Sequence, residues 1–158
     1  MLDLPQMTLR LLFAIAMGAL IGLERETVGK EAGVRTGMVV SGGAALFTII
    51  NLALPDILKT HGFETDGGAA ITVIGNIVTG IGFLGAGLII KDANHVRGLT
   101  TAAVVWFTAA IGVLSGLGMF EIALSSTVIL AGMLYLLRNV SFASPDELKP
   151  EKSRAKNK

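Results

Sequence analysis

The residues able to do chemistry gather where apolar runs break off. Glu24-Arg25-Glu26 closes the first run, Arg35-Thr36 opens the second, Lys91-Asp92 closes the third, and Arg97-Gly98-Leu99-Thr100-Thr101 opens the fourth. Short connections would hold all of these at one membrane interface. Arginine presents a planar fork suited to bidentate contact with a carboxylate, so Glu24 is expected to pair with Arg35 or Arg97, and Asp92 with Arg25. A cluster of Glu24, Arg25, Glu26, Arg35, Asp92 and Arg97 is either a structural ion-pair ring that sets helix positions, with some contacts to membrane lipid headgroups, or a surface that docks a partner or senses an ion. Glu24, Glu26 and Asp92 could offer the oxygen ligands that magnesium takes. The arginines compete for the same oxygens, so no metal site is assigned. His95 has no second histidine beside it and is expected to be exposed.

Other chemistries find no residues to carry them. The chain has no cysteine, which excludes disulfides, thiolate metal sites and thiol nucleophiles. Gly80-Ile81-Gly82-Phe83-Leu84-Gly85 matches the dinucleotide fingerprint GxGxxG, but that motif requires a strand before it and a helix opening at it. Here it lies inside an uninterrupted apolar run. No phosphate-binding loop, catalytic triad spacing or HExxH is present. The expectation is a protein that is not an enzyme, without cofactor, metal or nucleic-acid partner.

The elements that position the charged cluster are membrane helices. Of 158 residues, 52% are hydrophobic and only 16% charged, and the mean hydropathy is +0.68. A soluble domain carries about 25% charged residues. Five apolar segments are read, over 5–23, 36–54, 67–90, 98–120 and from 121 towards 140, with Pro55 ending the second. A helix needs about 20 residues to cross the hydrocarbon core. The outermost two are marginal and rely on Arg10 and Arg138 snorkelling to the interface. A signal peptide fits the first segment less well, because no basic region precedes it and Glu24-Arg25-Glu26 follows it. Trp106, deep in the fourth segment, is expected to be a packing anchor.

Arg25, Lys30, Arg35, Lys91, Arg97, Arg138 and the five basic residues beyond it fall on one side of such a bundle, Arg10 and Lys59 on the other. The positive-inside rule then places the N-terminus outside and the C-terminus in the cytoplasm. The expected fold is an all-α membrane bundle of five transmembrane helices over 1–140. A disordered basic cytoplasmic tail is expected over 141–158.

Glycine marks the expected contact faces. Gly18 and Gly22 form one GxxxG pair and Gly112 and Gly116 another, both suited to close packing within the chain or to a homo-oligomer interface. On the third segment Asn76, Gly80 and Gly87 fall on one face at 100° per residue, with Gly82 and Gly85 in the same run. Asn76 is expected to face the protein interior, because an unpaired amide in lipid is costly.

Three blocks, in order, resemble the MgtC/SapB family. They are Gly18-Ala19-Leu20-Ile21-Gly22-Leu23-Glu24-Arg25-Glu26 with Ala32-Gly33-Val34-Arg35-Thr36; Ile77-Val78-Thr79-Gly80-Ile81-Gly82-Phe83-Leu84-Gly85-Ala86-Gly87; and Val96-Arg97-Gly98-Leu99-Thr100-Thr101-Ala102-Ala103 with Trp106. Together they extend over about residues 7 to 140. The resemblance implies a bacterial inner-membrane protein linked to growth under magnesium limitation and, in pathogens, to survival inside macrophages. It implies either regulation of other membrane systems, the membrane sector of the ATP synthase among them, or magnesium transport. It also singles out Glu24, Arg25, Arg35, Thr36, Gly80, Gly82, Gly85, Arg97, Gly98 and Thr101. Longer members carry a C-terminal ACT-like domain that this chain does not include, and some have Asn where Thr100 stands.

Overall fold

The computed structural model describes residues 2–62, 69–92 and 95–138; the tail over 141–158 lies outside them. Five α-helices follow in order: α1 (Leu4–Thr27), α2 (Val34–Thr60), α3 (Ala69–Leu88), α4 (Leu99–Leu117) and α5 (Phe120–Leu137). A two-stranded antiparallel hairpin, β1 (Ile90–Asp92) and β2 (His95–Arg97), stands between α3 and α4, with Lys91 opposite Val96 and Asp92 opposite His95. The hairpin falls where a plain loop was expected.

Among the described residues four helices, α1, α2, α4 and α5, are by length and composition long and apolar enough to cross a membrane. The expectation of five spans is corrected to four. Within α3 the apolar stretch among the described side chains is Thr72–Leu88. The charge-free run does continue to Ile90, but the backbone leaves the helix at Leu88 and enters the hairpin. Pro55 does not end α2 either; it lies inside the helix, which continues to Thr60. A proline costs one backbone hydrogen bond and crowds the preceding turn, a defect that membrane helices tolerate when neighbours satisfy the freed groups.

Small residues decide how the helices meet. A Cβ on Gly18 would strike the Gly37 carbonyl oxygen, and one on Gly22 would lie 2.5 Å from Val34 Cα. These two glycines seat α1 on α2. Gly112 sits against the carbonyl of Ser41, and a Cβ on Gly116 would lie 2.7 Å from Thr48 Cβ, which seats α4 on α2. Both GxxxG pairs are thus used within the chain. The larger side chains fill the other side of the bundle, where Met17, Ile21, Val104, Ile111, Ala123, Leu130 and Leu134 form the core with Phe13, Phe107 and Leu114 against it. Phe13 meets Phe120 edge-on, with ring centroids 4.9 Å apart, a favoured aromatic geometry.

The outer surface is apolar. Val39, Phe47, Phe83, Ile129 and Leu136 all point outward, as lipid contact requires. Trp106 belongs to this surface: it is 47% exposed, not a packing anchor. The buried face of α4 carries Thr101, Val104, Val105, Thr108, Ile111, Gly112 and Ser115. Trp106 stands at the edge of that face, one turn from the buried Ala102 and Ala109, and outside the seam where backbones approach too closely to admit an indole.

Candidate functional site

The charged residues are set by four chain ends that meet at one end of the bundle. Glu24 and Arg25 lie in the last turn of α1, where a cation also complements the helix dipole. They line a cavity of about 920 Å³ together with Val28 and Lys30 of the following loop, Val96 of the hairpin, Gly98 to Thr101 at the start of α4, and Met133, Leu134, Leu137 and Arg138 at the end of α5.

Glu24 and Arg25 are withdrawn from solvent, with side chains 11% and 7% exposed, and Arg25 Nη1 lies 3.6 Å from Glu24 Oε2. That separation gives charge attraction without a hydrogen bond. Both Glu24 carboxylate oxygens and Arg25 Nε are buried and have no hydrogen-bond partner. Glu24 is therefore paired with its chain neighbour, in place of the expected Arg35 or Arg97, both of which are exposed. Consecutive helix residues do not ordinarily face each other; here both turn towards one cavity at the helix end.

Glu26 does something else. Its Oε2 accepts the Val34 backbone N–H at 3.0 Å, satisfying one of the amides left open at the start of α2. Glycine at position 33 leaves room for this, since a Cβ there would lie 2.7 Å from the same oxygen. The loop is closed by Lys30 N–H donating to the Arg25 carbonyl at 3.0 Å. Asp92 and Arg97 stand on the hairpin strands, exposed, as is His95.

Gly98 holds the hairpin against α4. Its φ is +85°, and a Cβ would collide with the Leu88 carbonyl oxygen, so both the backbone shape and the close approach call for glycine. The first helical bond of α4 is Ala102 N–H to the Gly98 carbonyl, and no side chain caps the helix. The first-turn residues Leu99, Thr100 and Thr101, whose amides precede that bond, border the cavity, and Thr101 is buried.

The α3 residues lie elsewhere. Gly80, Gly82 and Gly87 have nothing near where a Cβ would be, while Gly85 packs on Ala102 of α4. Asn76, expected inside, is exposed and borders a second, largely apolar cavity of about 510 Å³ between α2 and α3, with Val39, Phe47, Gly80 and Leu84. The face could not turn inward because α4 contacts α3 on the Gly85 side. Among the described residues no group of three or more His, Asp or Glu could hold a metal ion.

Sequence reasoning missed Lys30 and Arg138 as cavity residues. In the sequence Lys30 serves only to orient the bundle, and Arg138 to orient it and to snorkel to the interface; their position just beyond the ends of α1 and α5 is the available signal. The apolar wall of Met133, Leu134 and Leu137 had none, since these side chains are indistinguishable from lipid-facing ones by pattern.

Residues 11–142 match the model of the MgtC family. The chain is 44% identical over 133 residues to MgtC of Salmonella typhimurium (strain LT2), covering 84% of this chain and 53% of that protein. It is 42% identical over 126 residues to MgtC of Brucella abortus (strain 2308), covering 79% and 48%. It is 39% identical over 133 residues to YhiD of Escherichia coli (strain K12), named as a candidate magnesium transporter, covering 84% and 60%. The chain spans about half the length of these curated relatives. No solved structure matches it.

Proposed function

Because this chain belongs to the MgtC family of multi-pass membrane proteins, we propose that it acts in the bacterial inner membrane as a regulator of other membrane complexes during adaptation to low magnesium, and in pathogens during virulence. Its partner in this reading is another membrane protein, such as the membrane sector of the ATP synthase, with a second copy of the chain as a further partner. In this reading the charged end faces the cytoplasm, which the positive-inside rule supports.

One observation carries the choice of regulation over transport. Four of the buried hydroxyl groups between the helices are turned back onto their own helices, while Ser41 Oγ is buried without a partner. Thr48, Thr108, Ser115 and Thr127 each donate to the carbonyl four residues earlier, at 2.8 Å. The seam beside them is closed by glycine contacts. A magnesium ion dehydrates reluctantly and needs oxygen ligands at short range, and transport sites usually place ionisable groups near the bilayer centre. This interior is spent on holding the helices together.

The test is magnesium uptake by liposomes containing the purified chain, followed with an internal magnesium indicator. Uptake no faster than in empty liposomes is expected, and saturable protein-dependent uptake overturns the reading. Affinity purification from membranes grown at low magnesium should recover a stoichiometric membrane partner.

A further inference from the structure

The cavity at the charged end holds a set of groups that packing alone does not explain. Arg25 is more than nine-tenths buried, lines the cavity and leaves Nε without a partner. Glu24 lies beside it with two buried carboxylate oxygens that accept no hydrogen bond. Buried charges are ordinarily hydrogen-bonded as well as paired, so this pair is left two donors and one acceptor short. Across the cavity stands the uncapped start of α4, a 19-residue helix whose first-turn residues Leu99 to Thr101 border the space. Lys30 and Arg138 add two cations at the edge. The remaining wall, Met133, Leu134 and Leu137, is apolar and belongs to α5, a helix long and apolar enough to cross the membrane.

A single ligand chemistry answers all of these. A helix start together with arginine and lysine binds phosphate. A buried carboxylate lacking donors binds a group with N–H to give. A wall of α5 side chains continuous with the membrane surface takes hydrocarbon. We propose that this cavity binds the headgroup of a phospholipid that carries a primary ammonium, phosphatidylethanolamine in chemical class. The ammonium meets Glu24, the phosphate meets Arg25, Arg138 and the start of α4, and the glycerol and acyl chains lie along Met133, Leu134 and Leu137. A purely anionic headgroup would bring a second negative charge towards Glu24 and leave its oxygens without a donor. A quaternary ammonium would have no N–H to donate. The inference stands whether the protein regulates or transports.

The experiment is native mass spectrometry of the full chain in detergent, offered equal amounts of phosphatidylethanolamine, phosphatidylglycerol and phosphatidylcholine of identical acyl chains. Phosphatidylethanolamine should be retained about tenfold or more over the other two, the factor expected from one hydrogen bond to a charged group. Glu24→Gln keeps the shape of the side chain and should erase that preference. Arg138→Gln, at an exposed position, should weaken all three lipids together. Soluble phosphoethanolamine is the fourth arm: it should compete only at a large excess, because it lacks the acyl chains. Equal retention of the three lipids, preference for phosphatidylglycerol, or a preference unchanged in Glu24→Gln overturns the proposal. So does displacement by equimolar phosphoethanolamine, which would make the ligand a soluble phosphate ester. The ranking of lipids on the unaltered chain tests it even if a variant fails to fold.

Discussion

Gly18 of α1 and Gly37 of α2 are pressed together so that a Cβ on either would collide with the carbonyl oxygen of the other. The contact is reciprocal and backbone to backbone, so neither side can yield by rotating a side chain. Gly18→Ala or Gly37→Ala should therefore destabilise the protein by about 1–3 kcal/mol, the usual cost of overpacking. Gly80→Ala is the matched control. It also adds a methyl group to a helical glycine of the family block, but into open space, and alanine is the better helix former by about 1 kcal/mol. Thermal unfolding in detergent should show a lowered midpoint for the first two and none for the third.

At the other end of the bundle Arg10 reaches across from α1 and donates from Nη1 to the Gly116 carbonyl at 2.8 Å. It thereby satisfies a carbonyl near the end of α4, where the helix cannot. The guanidinium lies so close to Gly118, whose φ is +85°, that a Cβ there would sit 2.9 Å from Arg10 Nη2. Arg10 is thus not simply extended to the interface. Arg10→Met should cost about 1.5–3 kcal/mol, the range for a hydrogen bond with a charged partner, read as a lower unfolding midpoint. Gly118→Ala should cost more, because it adds backbone strain to the steric conflict.

The parts of this structure that were legible in the sequence are those that depend on local chemistry. The stripes Gly18–Gly22 and Gly112–Gly116 could be read as contact faces because only glycine permits such approach. The equally conspicuous Gly80 and Gly87 misled for Asn76, because spacing shows that residues share a face but not whether the chain itself covers that face. The run ending at Ile90 overstated α3 since apolarity does not record where the backbone turns into a hairpin. Pro55 was read as a stop, although the helix continues through it. Glu24 was marked as functional from its place at the end of an apolar run. Its pairing with Arg25 depends on a cavity made by α4 and α5, far along the chain.

Glu26 offers a local test of the connection between α1 and α2. Its carboxylate accepts the first amide of α2, and a negative charge at a helix start is favoured by the dipole as well. Glu26→Ala should cost about 0.5–2 kcal/mol, as loss of a capping side chain does. Glu26→Gln should cost less, since an amide oxygen can still accept. The effect should appear as faster protease cleavage in the loop over 28–33, with the rest of the chain protected as before.

The shared cavity makes a prediction about sidedness, which requires α3, with its apolar stretch Thr72–Leu88 among the described side chains, to bring the chain back from the Lys59 end to the charged end. Lys30 and Arg138 border the same space as Val96 of the hairpin, so the α1–α2 loop, the hairpin and the end of α5 must lie on one side of the membrane. Lys59 is in the last turn of α2, a 27-residue helix that carries it away from that side. The chain contains no cysteine, so single cysteines can be introduced without background. Lys30→Cys, His95→Cys and Arg138→Cys, all at exposed positions, should behave alike towards a membrane-impermeant maleimide, and Lys59→Cys in the opposite way. In intact bacteria with a permeabilised outer membrane, only Lys59→Cys should be labelled under the proposed cytoplasmic placement of the basic side. Labelling of His95→Cys together with Lys59→Cys would separate the hairpin from the cavity it helps to close, and with it the assignment of one charged end.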